Sequence, residues 1–194
     1  HRPILLATLG GLAIGLLSMA LPKDFPVTTL FWGEHQIPAI LHSGPTIIAL
    51  YGVAAACGLL VLLAVVKMLA VGATLHSGFR GGFIFPLFFI GAALGLALSI
   101  ATHAWFSPAV AMLCLMAGIN VAVTRTPLST TVILTTLSGT SLVPIIGAAS
   151  LVSFLLTTRV TLIHSQRSRH PHPSLRARRR RALPDAPAGL VAEH

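Results

Sequence analysis

Residues 80–86 read Arg-Gly-Gly-Phe-Ile-Phe-Pro and lead directly into an apolar run over residues 87–100. Two glycines allow a tight turn and a close approach of the backbone to another group. Proline suits the first turn of a helix, where its missing N–H is no loss. We therefore predict a helix that begins near Phe83, with Pro86 in its first turn.

The start of this predicted helix has the chemistry of an anion site. The first N–H groups of a helix have no acceptor within it, and the aligned peptide dipoles place about half a positive charge at that end. Backbone donors of this kind bind anions. The alternative is a plain glycine-rich connector between two membrane helices, because Gly-Gly is common in the loops that precede apolar helices.

The composition of the chain is that of a membrane protein. Of the 194 residues, 55% are hydrophobic and 9% are charged, and the mean hydropathy is +0.88. Uncharged stretches cover residues 3–22, 43–66, 81–124 and 126–158. Each is long enough for at least one bilayer crossing. We predict an all-α polytopic membrane protein with tilted, uneven and broken helices, located in the cell membrane.

Positive charge is concentrated near the C-terminus. Eight of the 13 Lys and Arg residues lie at or after Arg159. We therefore predict a membrane body over residues 1–165 and a basic, disordered, cytoplasmic tail over residues 166–194, by the positive-inside tendency. The tail is expected to contact anionic lipid headgroups. No nucleic-acid partner is predicted, because neither interleaved aromatic residues nor a folded nucleic-acid-binding module accompanies the arginines.

Catalytic and metal-binding residues are sparse. The chain has four acidic residues, none inside a long apolar stretch, and so no acid–base pair in the membrane. Cys57 and Cys114 lie in apolar segments without metal-ligand spacing. Glu34 and His35 could form a proton relay, but solvated loop positions are expected for them in a connector. We predict no enzyme activity, no metal and no cofactor.

The first half of the chain predicts two membrane helices. The first covers residues 3–22, where Gly11 and Gly15 either form a face for helix packing or reflect the frequency of glycine in membrane helices. A water-boundary connector follows. A short interfacial helix is expected over residues 39–44. The second membrane helix is predicted over residues 45–69, with Lys67 extending its ammonium group to the interface. Residues 71–77 are small and polar and can line a cavity.

The second half predicts interrupted helices. Gly91 and Gly95 indicate close packing of the helix after Pro86 against a neighbour. Another helix is expected over residues 108–123, and Pro127 should begin the next. The apolar run over residues 128–137 is about half a crossing, and residues 138–141 break it before residues 142–156. Broken helices of this kind are typical of transporter and channel cores.

Residues 81–95 resemble the CLC family of chloride channels and chloride/proton antiporters, whose Gly-x-Phe-x-Pro segment matches Gly81-Gly82-Phe83-Ile84-Phe85-Pro86. A second match is to the family's later pair of helices. It comprises, in the same order and at the same spacing, Ala117-Gly118, residues 123–128 and residues 137–139. The resemblance covers residues 3–165 and corresponds to the second half of the family's membrane domain. We therefore expect this chain to be a fragment of a larger chain.

The resemblance implies specific roles. Chloride or a similar anion is expected to be held by the backbone N–H groups of Gly82, Phe83, Ile84 and Phe85, with Gly81 and Pro86 shaping the turn. Ile84 replaces the family's usual phenylalanine, and Thr136 replaces a frequent glutamate. The family's inner-gate tyrosine falls near Ile163, where Ile163-His164 stands. A homodimer is implied through the first helix and residues 128–156.

Three functions are compatible with these features. The first is transport of small anions through a CLC-type pore, as a channel or by proton-coupled exchange. The second is a non-conducting or incomplete membrane subunit that keeps the fold but needs the family's first half, which holds an ion-binding serine and a gating glutamate. The third is an unrelated secondary transporter with broken helices.

Overall fold

The computed structural model describes residues 2–30, 33–77, 81–103 and 105–157. These residues form α1 (Arg2–Ser18), α2 (Ile37–Tyr51), α3 (Val53–His76), α4 (Ile84–Ala101), α5 (Pro108–Thr124), α6 (Pro127–Ser138) and α7 (Val143–Thr157). Short 3-10 turns precede α2 and α7. No strand occurs in the described segments, and the prediction of an all-α membrane protein is confirmed. Arg80, Ile163 and the predicted tail lie outside the described residues.

The helices differ in length. Two of the described helices, α3 and α4, are long and apolar enough to cross a membrane. Helices α5 and α7 are shorter apolar segments, as is the part of α1 from Ala7 to Ser18. Helix α6 has 12 residues. It therefore rises about 18 Å, against about 30 Å for a bilayer core. The predicted short helix after Pro127 is present.

Prolines lie at the starts of several helices. Pro108 and Pro127 are the first residues of α5 and α6, and Pro86 is the third residue of α4. Proline at these positions costs no intrahelical hydrogen bond. The predictions that Pro86 and Pro127 lie in the first turn of a helix are confirmed.

Two glycines interrupt the helices. Gly52 separates α2 from α3 with φ 78°, and Gly139 ends α6 with φ 85°. The predicted break at residues 138–141 is confirmed. The prediction of one helix over residues 45–69 is wrong, as is that of a separate short helix over residues 39–44. Pro45 and residues 39–44 lie within α2, because the backbone turns only at Gly52, where a side chain would be strained.

Helix α4 is at the centre of the core and packs against α3 and α5. A Cβ atom at Gly91 would lie 2.5 Å from the Cα of Met116, and one at Gly95 would overlap the Cα of Met112. The two glycines therefore bring the backbones of α4 and α5 into contact, as predicted from their spacing.

Helix α1 uses a different glycine from the predicted pair. A Cβ at Gly11 or Gly15 would meet no described atom within 4 Å, whereas one at Gly10 would overlap the Oγ of Ser77, the residue after α3. Among the described residues, Gly11 and Gly15 therefore form no helix contact. Each residue turns a helix by about 100°, so the adjacent glycine points in another direction.

The connector between α1 and α2 is exposed at Lys23, Asp24 and Pro26, as predicted for the water boundary, but its alternate residues reach the core. Phe25, Val27 and Thr29 are buried. The Gln36 side chain closes the loop, because its Nε2 donates to the Thr28 Oγ1 at 3.0 Å and its Oε1 accepts from the Thr28 N–H at 3.1 Å. Gly33 packs on Phe89 so closely that a Cβ there would lie 2.8 Å from the ring.

Helices α5, α6 and α7 are joined by hydrogen bonds of small polar side chains and one arginine. These bonds run from Ser153 Oγ to Gly118 O at 2.6 Å, Asn120 Nδ2 to Thr130 Oγ1 at 2.7 Å, Arg125 Nη2 to Thr157 O at 3.0 Å and Thr131 Oγ1 to Ser150 Oγ at 3.2 Å. Such bonds connect helices where the hydrophobic effect between them is weak.

Candidate anion-binding site

A cavity of about 390 Å³ lies beside the start of α4. Its walls come from α1, the α1–α2 connector, α3 and residues 81–86. Val71, Thr74 and Leu75 contribute part of the α3 wall, so the prediction that residues 71–77 line a cavity is confirmed. Val71 to His76 are helical, however, and do not form a separate polar segment.

The structure brings most of the predicted site residues to this cavity. Gly81, Gly82, Phe83, Phe85 and Pro86 line it, whereas Ile84 is not among its lining residues. Phe83 is the residue before α4, and no described side chain caps the helix there. The first helical hydrogen bond runs from the Leu87 N–H to the Phe83 carbonyl at 3.1 Å. The helix itself offers no acceptor to the N–H groups of Phe83 and Ile84.

Gly81 and Gly82 leave the start of α4 uncovered. Neither has a positive φ, so the chain makes no turn there that only glycine allows. A Cβ at either position would meet no described atom within 4 Å. Both residues are exposed. Their missing side chains leave open space in front of the helix start.

Lys67 does not reach the membrane interface, and that prediction is wrong. Its side chain is 2% exposed. The Nζ donates to the Thr29 carbonyl at 2.9 Å and lies 4.9 Å from the centroid of the Phe89 ring. The buried connector supplies a carbonyl acceptor and α4 supplies an aromatic face, so the ammonium group is held inside the protein.

The ammonium of Lys67 also borders the cavity, together with Thr29. The hydroxyl of Thr74, on the same wall, donates to the carbonyl of Ala70 at 2.7 Å and is therefore engaged within its own helix. The cavity wall thus offers an anion two kinds of positive group: the backbone N–H groups at the start of α4 and the ammonium of Lys67.

Sequence reasoning missed Lys67, Thr29 and Phe89. A signal for Lys67 was present, because an ionisable residue within an apolar helix is a candidate functional residue by default. It was overlooked because the predicted helix ended at residue 69, which placed Lys67 near a membrane surface. In the structure α3 continues to His76, nine residues beyond Lys67. Thr29 and Phe89 give no sequence signal, since their role arises from contact alone.

The remaining predicted positions do not join this cavity. Glu34 and His35 lie in the 3-10 turn Glu34–Gln36 and are not among the lining residues. Within the described residues, no three His, Cys, Asp or Glu side chains are grouped to hold a metal ion. Ile163, the predicted inner-gate position, lies outside the described residues.

A model of the family described as voltage gated chloride channel matches residues 1–158. This chain belongs to the voltage-gated chloride channel (CLC) family. It is 36% identical over 115 residues to a chloride/fluoride channel protein of Pseudomonas syringae pv. tomato, a match that covers 55% of this chain. It is 33% identical over 171 residues, or 86% of this chain, to YfeO of Salmonella newport, which is provisionally named an ion-transport protein. No significant match to a solved structure was found.

The matched relatives are longer than this chain. The chain spans 24% of the length of the Pseudomonas relative and 38% of the Salmonella one. Membership of this family of channels and transporters places the protein in a membrane.

Proposed function

We propose that this chain takes part in the transmembrane transport of chloride or a similar small anion through a CLC-type pore, as a channel or a proton-coupled exchanger. The observation that supports this most directly is the start of α4, which opens onto a cavity with the N–H groups of Phe83 and Ile84 unused by the helix. The anion would accept hydrogen bonds from the backbone of residues 82–85, with Gly81 and Pro86 shaping the approach.

The chain is proposed to be the second half of a CLC membrane domain, with a membrane body over residues 1–165 and a basic tail after it. The order of the Gly81–Pro86 segment and the helix start at Pro127 supports this placement. The family's ion-binding serine and gating glutamate would then belong to the other half. Proton coupling would depend on that half, because the described residues contain two carboxylates, Asp24 and Glu34, and neither lines the cavity.

A multi-pass arrangement in the cell membrane, with the Arg-rich tail on the cytoplasmic side against anionic lipid, is part of the proposal. So is a homodimer. Apolar side chains on α1, α6 and α7 are exposed and can face either lipid or a second copy; they include Leu12, Leu16, Val132, Leu151 and Leu156. Transport rather than catalysis is proposed, since the cavity wall provides anion donors and no acid–base pair.

Chloride efflux from liposomes tests this function. The purified chain is reconstituted alone and together with a polypeptide that carries the family's first half, with vesicles containing that polypeptide alone as the control. We expect chloride efflux above the control when both are present. If the two polypeptides copurify and efflux stays at the control level, the transport proposal fails and the alternative of a non-conducting subunit is favoured.

A further inference from the structure

We propose that Lys67 is a fixed internal cation that strengthens anion binding at the start of α4. It would act through the cavity that it shares with Gly81, Gly82 and Phe83. The inference rests on the proposed function, because it assigns a further residue to the same anion site. Lys67 is a positioning and attracting residue here, and the direct hydrogen bonds to the anion come from the backbone.

The side of α3 that carries Lys67 is the side that forms the cavity wall. Lys67, Ala70, Val71 and Thr74 all line the cavity. Their spacing of three and four residues places them on one face of a helix. The Lys67 side chain is 2% exposed, so its charge is directed into the protein and not towards the surrounding solvent or lipid.

Contacts with Thr29 and Phe89 help to hold the ammonium in place. The carbonyl of Thr29 accepts its hydrogen bond at 2.9 Å, and the ring of Phe89 lies 4.9 Å away. Phe89 belongs to α4 and is itself fully buried. The cation is therefore connected to the helix whose N-terminus forms the proposed anion site. It is fixed before an anion arrives, so binding needs no reorganisation of this side chain.

The charge has the right sign and setting to attract an anion. The described residues include two carboxylates, Asp24 and Glu34, and neither lines the cavity. The cavity wall is otherwise mainly apolar, and interactions between charges are stronger in such surroundings than in water. At an effective dielectric constant of about 20, a unit charge about 12 Å from an anion changes its affinity roughly tenfold.

Calorimetric titration of the full chain with chloride tests the inference. The variants are Lys67→Met and Lys67→Gln, which remove the charge, and Lys67→Arg, which keeps it. Gln also retains a side-chain donor for the Thr29 carbonyl. Lys23→Met is the matched control, since Lys23 is exposed in the connector. We expect the chloride Kd to rise about tenfold for Met and Gln, and to stay within about threefold of the parent for Arg and for Lys23→Met.

A second variant separates charge from packing. Thr74→Lys, combined with Lys67→Met, returns a cation to the same face of α3 and should recover at least part of the lost affinity. An equal loss for Met, Gln and Arg would assign Lys67 a packing role and overturn the inference. Failure of both neutral variants to fold and elute like the parent would also overturn it, because Lys67 would then be required for the structure itself.

The result distinguishes this inference from the function on which it rests. A parent chain that binds no chloride contradicts the proposed anion site. A parent chain that binds chloride with the same Kd as Lys67→Met and Lys67→Gln contradicts the role of Lys67 alone.

Discussion

At the scale of a single residue, Ile84 separates the contribution of the backbone to the proposed anion site from that of the side chain. It is the first residue of α4 and half-buried, and it is absent from the cavity lining, whereas Phe83 and Phe85 on either side line the cavity. We therefore expect the type of side chain at this position to have little effect on the proposed site. The N–H group of Ile84 is present with either side chain.

Two substitutions at Ile84 should have different effects. Ile84→Phe keeps the N–H, so chloride affinity should stay close to that of the parent. Ile84→Pro removes the N–H. Loss of one hydrogen bond to a charged group costs about 1.5 to 3 kcal/mol, so chloride should bind roughly tenfold or more weakly. Calorimetric chloride titration of both variants measures the difference.

The proline variant needs a check of its fold. Proline is accepted at the first helical position, but it disfavours the helical conformation that Phe83 adopts before it, with φ −102° and ψ −8°. The variant must therefore insert and elute at the same size as the parent. Equal chloride affinity for a folded Ile84→Pro and the parent would remove this N–H from the site.

At the scale of helices, the contact between α4 and α5 positions the start of α4, where the anion site is proposed. Gly91 and Gly95 let the two backbones touch, and Phe88 and Phe89, nearer the start of α4, are buried in the core. Helix α4 is thereby held along its length. Its N-terminus lies next to the cavity, and in the proposed site the backbone donors would be aligned before an anion binds.

Gly95→Ala should destabilise the protein. The added methyl group would overlap the Cα of Met112, a backbone atom that cannot rotate away. We expect a loss of about 1 to 3 kcal/mol in the free energy of unfolding. Gly118→Ala is the matched control on α5, because no described atom lies within 4 Å of a Cβ there. Thermal unfolding in detergent, followed by circular dichroism, compares the two variants.

The control should be neutral or more stable than the parent by up to about 1 kcal/mol, since alanine favours helix over glycine. If both alanine variants unfold at the temperature of the parent, the backbones of α4 and α5 are not in the close contact described.

At the scale of the whole molecule, apolar side chains on several helices remain exposed. Leu16 on α1, Val132 on α6 and Leu156 on α7 are 63%, 63% and 76% exposed. Such surfaces can contact lipid, and they also suit packing against another membrane protein. The proposed homodimer would cover the exposed apolar side chains on α1, α6 and α7, and α3 would lie outside the dimer interface.

Disulfide crosslinking tests this arrangement. In a background with Cys57→Ala and Cys114→Ala, cysteines are placed singly at Leu16, Val132 and Leu151, and a control cysteine is placed at Met68 on α3, which is 58% exposed. Mild oxidation in a bilayer should yield a covalent dimer from at least one of the first three positions and none from Met68. Absence of crosslinks at all three would contradict a dimer through these helices.

Much of the helical framework follows from the sequence alone, because helix starts, breaks and lengths depend on residues close together in the chain. Pro86, Pro108 and Pro127 all lie in the first turn of a helix, and Gly139 ends one. The four-residue spacing of Gly91 and Gly95 predicted a close helix contact. These features depend on backbone geometry over one or two turns, which is local.

The surroundings of the site were decided by the tertiary structure. Lys67 contacts Thr29, 38 positions earlier, and Phe89, 22 positions later, and both contacts lie inside the protein. The choice of Gly10 over Gly11 depends in the same way on where Ser77 lies. A hydrophobic pattern determines that a helix is buried in protein or lipid, but not which neighbour it meets. The partner of a buried charge is fixed only when distant segments pack together.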